Sequence, residues 1–158
     1  RFILPGYNLR PIEFMGALAS DQIDKLDKLI EARRTNADLF IEICKEYNFI
    51  KPQKAVGKSS WFGFSLICIN EAEGRRQEVL DIFLSHEIEV RPIVGGNFTK
   101  NEVIKYFDYE LHNDLTNAKI VDENGFFIGN HHFEMSEEFK VLKLALEDVK
   151  IALGTNSD

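Results

Sequence analysis

Apolar residues recur at spacings of three and four through Phe14, Leu18, Ile23, Leu26, Ile30, Ala37, Phe40, Ile41 and Cys44, with Arg33 on the same stripe. That period marks an amphipathic helix. Pro11 suits a first helical turn, where a missing N–H costs nothing, and Glu13 suits the positive end of the helix dipole. Residues 1–47 therefore read as a loop and a long linking helix, with Ser20-Asp21 as the place for a break. Such a helix predicts a spine joining two halves of a larger protein. Its face around Phe14 and Leu18 is expected to be exposed in this chain, because that face would normally pack on a neighbouring domain or subunit.

The period then changes. Residues 48–60, with Pro52 and Gly57, read as loop. From Trp61 to Ile69 the chain alternates, with Phe62, Phe64, Leu66 and Cys68 on one side and Trp61, Gly63, Ser65 and Ile67 on the other. That alternation predicts a strand, and two apolar faces predict a central one. A helix over Glu73 to His86 is expected to bury Val79, Leu80, Phe83 and Leu84, and Ile88 and Val90 belong to a second strand. Strand, helix and strand in so short a span fit either a crossover unit or a split α+β sheet.

Further on, the pattern predicts a short helix over Glu102 to Phe107 and another capped by Asp114-Leu115-Thr116-Asn117, reaching about Asp122. A short strand follows over Gly125 to Gly129. The last helix starts at Ser136 and buries Phe139, Leu142, Leu146, Val149 and Leu153. Residues 155–158 read as a frayed tail. The fold class is α+β: a small antiparallel or mixed sheet of three to four strands, covered by helices mainly on one face, over residues 48–154.

The stretch Arg91-Pro92-Ile93-Val94-Gly95-Gly96-Asn97-Phe98-Thr99-Lys100-Asn101-Glu102 passes from a strand end through a glycine pair into a helix. Without Cβ atoms, the two glycines would let backbone approach a ligand closely. Thr99 and Glu102 have the spacing of a capping box. The alternative is a well-made turn that binds nothing.

Composition narrows the choice of chemistry. A net charge of −7 over 158 residues disfavours nucleic acid as a partner, since phosphate neutralisation needs a basic face. Arg33-Arg34 is a basic pair among acids and reads as a solvated helix face. Cys44 and Cys68 each sit in an apolar run and read as buried free thiols in a reducing, cytoplasmic compartment. They do not form a zinc pattern with His131-His132, so no metal is expected. No apolar run reaches membrane-spanning length, so no membrane partner is expected.

Several residues could carry chemistry. Arg91, at a strand end, could hold a phosphate or carboxylate bidentately, or pair with one of many acids. Asn97 could contact a sugar hydroxyl or take a left-handed turn conformation. His131 and His132 follow a strand end and point to opposite sides, so one of them at most faces a site. Trp61 and Phe62 could stack on a base or sugar, or pack in the core. Gly57-Lys58-Ser59 has Pro52 where a phosphate-binding loop needs its first glycine, and is rejected.

A family likeness joins these features. Gly6-Tyr7-Asn8-Leu9-Arg10, followed by a long helix containing Glu31-Ala32-Arg33-Arg34, resembles the nucleotide-sugar aminotransferases of the DegT/DnrJ/StrS type. Ser60-Trp61-Phe62-Gly63-Phe64, the glycine corner, Tyr106-Phe107-Asp108-Tyr109 and Phe126-Phe127-Ile128-Gly129-Asn130-His131 resemble its sugar 3-dehydratase branch, most of all the members acting on GDP-4-keto-6-deoxymannose.

The resemblance implies the C-terminal small domain of a fold-type I enzyme that uses pyridoxal 5'-phosphate or pyridoxamine 5'-phosphate and acts as a homodimer. The cofactor domain, with the histidine or lysine that separates dehydratase from aminotransferase, would precede Arg1. No residue of this chain would then be catalytic, and the chain alone would be inactive. Asn8 would reach the cofactor phosphate of the neighbouring subunit. Arg10, Arg91, Gly96, Asn97 and His131 would edge the nucleotide-sugar site. The implied reaction is loss of the C3 hydroxyl from a 4-keto-6-deoxyhexose, in deoxysugar or O-antigen biosynthesis. A nucleotide-sugar 4-aminotransferase of the perosamine type and a non-catalytic interaction module are the alternatives.

Overall fold

The computed structural model describes residues 2–6 and 12–154. In chain order these form α1 (Glu13–Gln22), a 3-10 turn (Ile23–Lys25), α2 (Leu26–Cys44), β1 (Ile50–Pro52), β2 (Gly63–Cys68), α3 (Arg76–Ser85), β3 (Val90–Arg91), α4 (Thr116–Asn124), β4 (Gly125–Gly129) and α5 (Ser136–Leu153). Shorter 3-10 turns lie at Asn70–Ala72, Phe98–Lys100 and Glu102–Tyr106.

All strand pairs are antiparallel and the order is β1-β2-β4-β3. Thus β2 and β3 run the same way with β4 inserted against them, so the split arrangement is the one adopted. The span 48–60, expected to be loop throughout, contains β1. Pro52 is tolerated there because β1 is an edge strand, where a missing N–H need not break a ladder.

Register sorts the two faces of the sheet. Phe64 lies opposite Ile128 and Leu66 opposite Phe126, and Val90 also lies opposite Ile128. These residues face the helices, where Phe40, Phe83, Leu146 and Val149 are fully buried. The Phe40 ring stacks on Phe64 at 4.0 Å and 7°, and Phe83 meets Phe126 edge-on at 5.3 Å. Each such ring contributes about 1.5–3 kcal/mol by leaving water. Cys44 and Cys68 lie in the same core as free thiols, and burial pushes them up to about 12 and about 11. Both are therefore unreactive as nucleophiles at neutral pH.

The opposite face carries Ser65, Phe127 and Arg91. Gly63 belongs there for a packing reason. A Cβ at that position would run into the Phe127 ring and sit 2.8 Å from the Ile128 carbonyl oxygen.

The long stripe behaves differently along its length. The helix breaks at Ile23–Lys25, just after Ser20, whose hydroxyl donates back to the Gly16 carbonyl oxygen. In α2, Ala37, Phe40 and Cys44 are buried, whereas Phe14, Leu18, Ile23 and Leu26 are exposed. The exposed apolar patch expected around Phe14 and Leu18 is present.

Strand alternation also departs from the sequence reading at one place. Trp61 takes φ 50, a left-handed conformation outside the extended range. That reversal turns the indole into the core and leaves Phe62 73% exposed, so Phe62 does not share the face of Phe64.

Candidate functional site

The structure divides the expected site residues that it describes between two grooves. The first is the glycine corner, a cavity of ≈ 280 Å³ bounded by Gly95, Gly96, Lys100, Asp122 and Arg76. Gly96 takes φ +55, and a Cβ there would collide with the Asp122 carboxylate. The corner does allow a close approach, as expected, but Asp122 of the same chain makes it.

Asp122 Oδ1 accepts from the Asn97 N–H at 3.2 Å, and Oδ2 lies 3.0 Å from Lys100 Nζ. Burial pushes this carboxyl up, but Lys100, the Asn97 N–H and Arg76 outweigh it and hold the group below its usual range. Lys100 also reaches Glu123 at 3.1 Å, and these acceptors hold its amine above the usual range. An amine poised for covalent attack on a carbonyl needs the opposite shift. The corner's donors and charges are thus committed to one another, and it does not fit a cofactor phosphate.

Asn97 is not a free amide here. It is 8% exposed, extended at φ −81, and its Oδ1 accepts from the Thr99 N–H at 3.2 Å and hydroxyl at 2.7 Å. The left-handed alternative and the Thr99–Glu102 capping box are both replaced by this cap. Asn101 precedes the Glu102–Tyr106 turn without a side-chain cap, its Oδ1 accepting from the Phe2 N–H instead.

The second groove, ≈ 290 Å³, lies on the sheet face turned away from the helical core and brings Arg91 and His131 together with Arg33, Phe62 and Phe127. Arg91 forks onto Glu89 at 2.6 and 2.9 Å and is exposed. The His131 ring stacks on Phe133 at 4.7 Å and 15°. The Arg33 guanidinium carbon lies 5.6 Å from the Phe62 ring centroid. Phe62 in turn lies 6.1 Å from Phe127.

A buried amide pair holds this groove. Asn130 Nδ2 donates to the carbonyls of Trp61 (2.8 Å) and Arg33 (3.0 Å). Asn36 Nδ2 donates to Asn130 Oδ1 and to the carbonyls of His131 and Phe133. Residues on α2, at the start of β2 and after β4 are thereby fixed relative to one another.

Of the expected site residues, Gly96 and Asn97 fall in the corner and Arg91 and His131 in the sheet-face groove, while Asn8 and Arg10 lie outside the described residues. Arg33 and Asn130 were not among them. Arg33 had one signal: a cation on an otherwise apolar stripe, four residues before the buried Ala37. Its neighbour Arg34 does face outward and ties down the preceding loop through the carbonyls of Lys58 and Ser59. Among the described residues no cluster of histidine, cysteine and carboxylate groups could hold a metal ion, and no helix is long and apolar enough to cross a membrane.

An antiparallel four-stranded sheet with a split strand–helix–strand unit and helices on one face is the architecture of the C-terminal domain of fold-type I pyridoxal phosphate enzymes. The chain belongs to the DegT/DnrJ/EryC1/StrS aminotransferase family, which residues 2–141 match. It is 44% identical over 148 residues to a GDP-4-keto-6-deoxy-D-mannose 3-dehydratase of Escherichia coli O55:H7, covering 93% of this chain and 38% of that protein. It is 45% identical over 143 residues to the Yersinia pseudotuberculosis protein of the same name, covering 90% of this chain and 36% of that one. The structure of the E. coli 3-dehydratase with bound hydrated pyridoxal phosphate superposes with a TM-score of 0.81, at 44% identity, over 92% of this chain and 38% of that one. The chain thus spans about two fifths of the length of these relatives.

Proposed function

We propose that this chain is the C-terminal portion of a nucleotide-sugar 3-dehydratase that removes the C3 hydroxyl of a GDP-linked 4-keto-6-deoxyhexose in deoxysugar or O-antigen biosynthesis. The observation that carries this reading is identity of 44% and 45% to two proteins of that name across at least nine tenths of the chain. Pyridoxal or pyridoxamine phosphate supplies the electron sink for such chemistry when bound. The described residues of this chain do not cradle it, so their part is to bind and orient the sugar nucleotide.

In this reading residues 1–47 link the cofactor domain to the small domain of residues 48–154, and the working enzyme is a cytoplasmic homodimer. The exposed face of Phe14, Leu18 and Ile23 supports the link, since such a patch is normally covered by another domain or subunit. Asn8 and Arg10 serve the cofactor phosphate and the substrate, and Arg91 and His131 edge the nucleotide-sugar pocket. Gly96 and Asn97 shape the neighbouring wall.

The test is turnover by the complete gene product with the cofactor, supplied with GDP-4-keto-6-deoxymannose. A product lacking the C3 oxygen is expected, and the 158-residue chain alone should give none. An amino sugar as the product would move the reading to a 4-aminotransferase, and no turnover of any nucleotide sugar would overturn it.

A further inference from the structure

We infer that a third cavity, on the helix side of the sheet between its β3 edge and α5, binds a small amine: an ammonium group carried on an aromatic or branched apolar body. The cavity exists because β3 is short. It pairs Val90 with Ile128 and Arg91 with Phe127, and Gly129 at the end of β4 has no β3 partner. Just before β3, Glu87 takes φ 60, a left-handed reversal directly after α3, and the Glu87–Glu89 segment becomes one wall. Glu138 and Val141 of α5 belong to the facing wall. The floor is core: Phe64, Ile128, Phe139 and Leu142, all buried. The space is ≈ 410 Å³, a size that small-molecule sites occupy.

The floor sets the body of the ligand. Phe64 and Phe139 lie 6.4 Å apart at 45° and offer two ring surfaces, beside the branched side chains of Ile128 and Leu142. An apolar group of about phenyl size gains by leaving water against them.

The rim sets the charge. His86 Nε2 lies 2.7 Å from Asp148 Oδ2, and Glu89 holds Arg91 at 2.6 Å, so those groups are engaged. The His131 ring is stacked on Phe133. The carboxylates of Glu87 and Glu138 have no hydrogen-bond or ion-pair partner among the described residues, and no lysine or arginine lines the cavity. Two uncommitted negative charges therefore flank an apolar floor. An anionic ligand is repelled there, a neutral one leaves both charges unused, and an ammonium meets them. The net charge of −7 adds a general pull on cations. A free amine fits better than a peptide, because β4 offers a single unladdered residue, Gly129, too little edge for strand addition.

The experiment follows the methyl signals of Ile88, Ile128 and Leu142 by carbon-13 NMR in the 158-residue chain, titrated with phenethylammonium, phenylethanol and phenylpropionate. Phenethylammonium is expected to saturate those shifts at concentrations about tenfold below phenylethanol, and phenylpropionate should bind more weakly than either. Glu87→Gln and Glu138→Gln should each weaken phenethylammonium by about threefold and leave phenylethanol unchanged. Val141→Phe, which fills the cavity from α5, should abolish binding of both. The two glutamine variants alter exposed side chains, so they keep the test readable if Val141→Phe fails to fold. Absence of a saturable shift, equal binding of the three probes, or wild-type affinity for phenethylammonium in both glutamine variants would each overturn the site. Tighter binding of the capped peptide Ala-Phe-Lys-Ala than of phenethylammonium would overturn the assignment to a small amine.

Discussion

The glycine corner and the sheet-face groove have nearly equal volumes, ≈ 280 and ≈ 290 Å³, and both contain cations. They differ in what those cations face. In the corner, Lys100, Arg76 and the Asn97 N–H all converge on Asp122, through its side chain or its carbonyl. In the sheet-face groove, Arg33 is left with an aromatic ring and an unpaired N–H. A cavity whose polar groups satisfy one another is a packed joint of the fold. A cavity that leaves a buried donor unpaired by protein groups keeps hydrogen-bonding capacity that the fold itself does not use.

The sharpest test of the corner is Gly96→Val. It places a branched side chain at φ +55 and drives it into the Asp122 carboxylate. A loss of about 3 kcal/mol in urea unfolding is expected, combining backbone strain with a broken joint. A near-neutral result would mean the corner is pliable and would erase the contrast.

Next in size is Asn130→Ala. It strips the donor from the Arg33 and Trp61 carbonyls and the acceptor from Asn36, in a buried setting. About 2 kcal/mol should be lost, and Trp61 emission should shift as its left-handed turn relaxes. Unchanged stability and fluorescence would show that the sheet-face groove is not held in advance.

The smallest effect is Asp122→Asn, about 1 kcal/mol at neutral pH from weakened hydrogen bonds. The pH dependence gives its sign. The folded carboxyl titrates below its ordinary value of 3.8, so its contribution is complete above that pH and is lost as pH falls through the lower folded value. Wild type and variant should therefore converge in stability in strong acid. A gap that persists there would mean that Asp122 acts by shape rather than charge.

Much of the fold was legible because periodicity reports local geometry. The alternation from Phe64 to Cys68 and the Phe139–Val149 stripe each placed an element and its buried face, and the Val79–Phe83 stripe did so except at Leu84, expected to be buried but 52% exposed at the last turn of α3. Those patterns arise from repeats of two and of about 3.6 residues, which need no knowledge of partners. Ile50–Pro52 was not legible, since a three-residue edge strand exists only because β2 lies beside it. The inward turn of Trp61 was hidden for a similar reason: a left-handed tryptophan is unfavourable alone and is held here by core burial and the Asn130 bond to its carbonyl.

The candidate site divides the same way. By itself the sequence marked candidate stretches, the glycine corner, the Arg91 strand end and the Gly129-Asn130-His131 segment, but it read Arg33 as part of a solvated helix face. Tertiary structure alone decided their roles, because pairing is a matter of which side chain arrives in space. Asp122 reaches the corner from twenty-six residues beyond Gly96 and fills it, whereas no carboxylate reaches Arg33 among the described residues. The long stripe ends on the same point. Phe14 and Phe40 share one repeat, yet one is exposed and the other fully buried, since a periodic face states that it needs a partner and only the packed chain says whether it has found one.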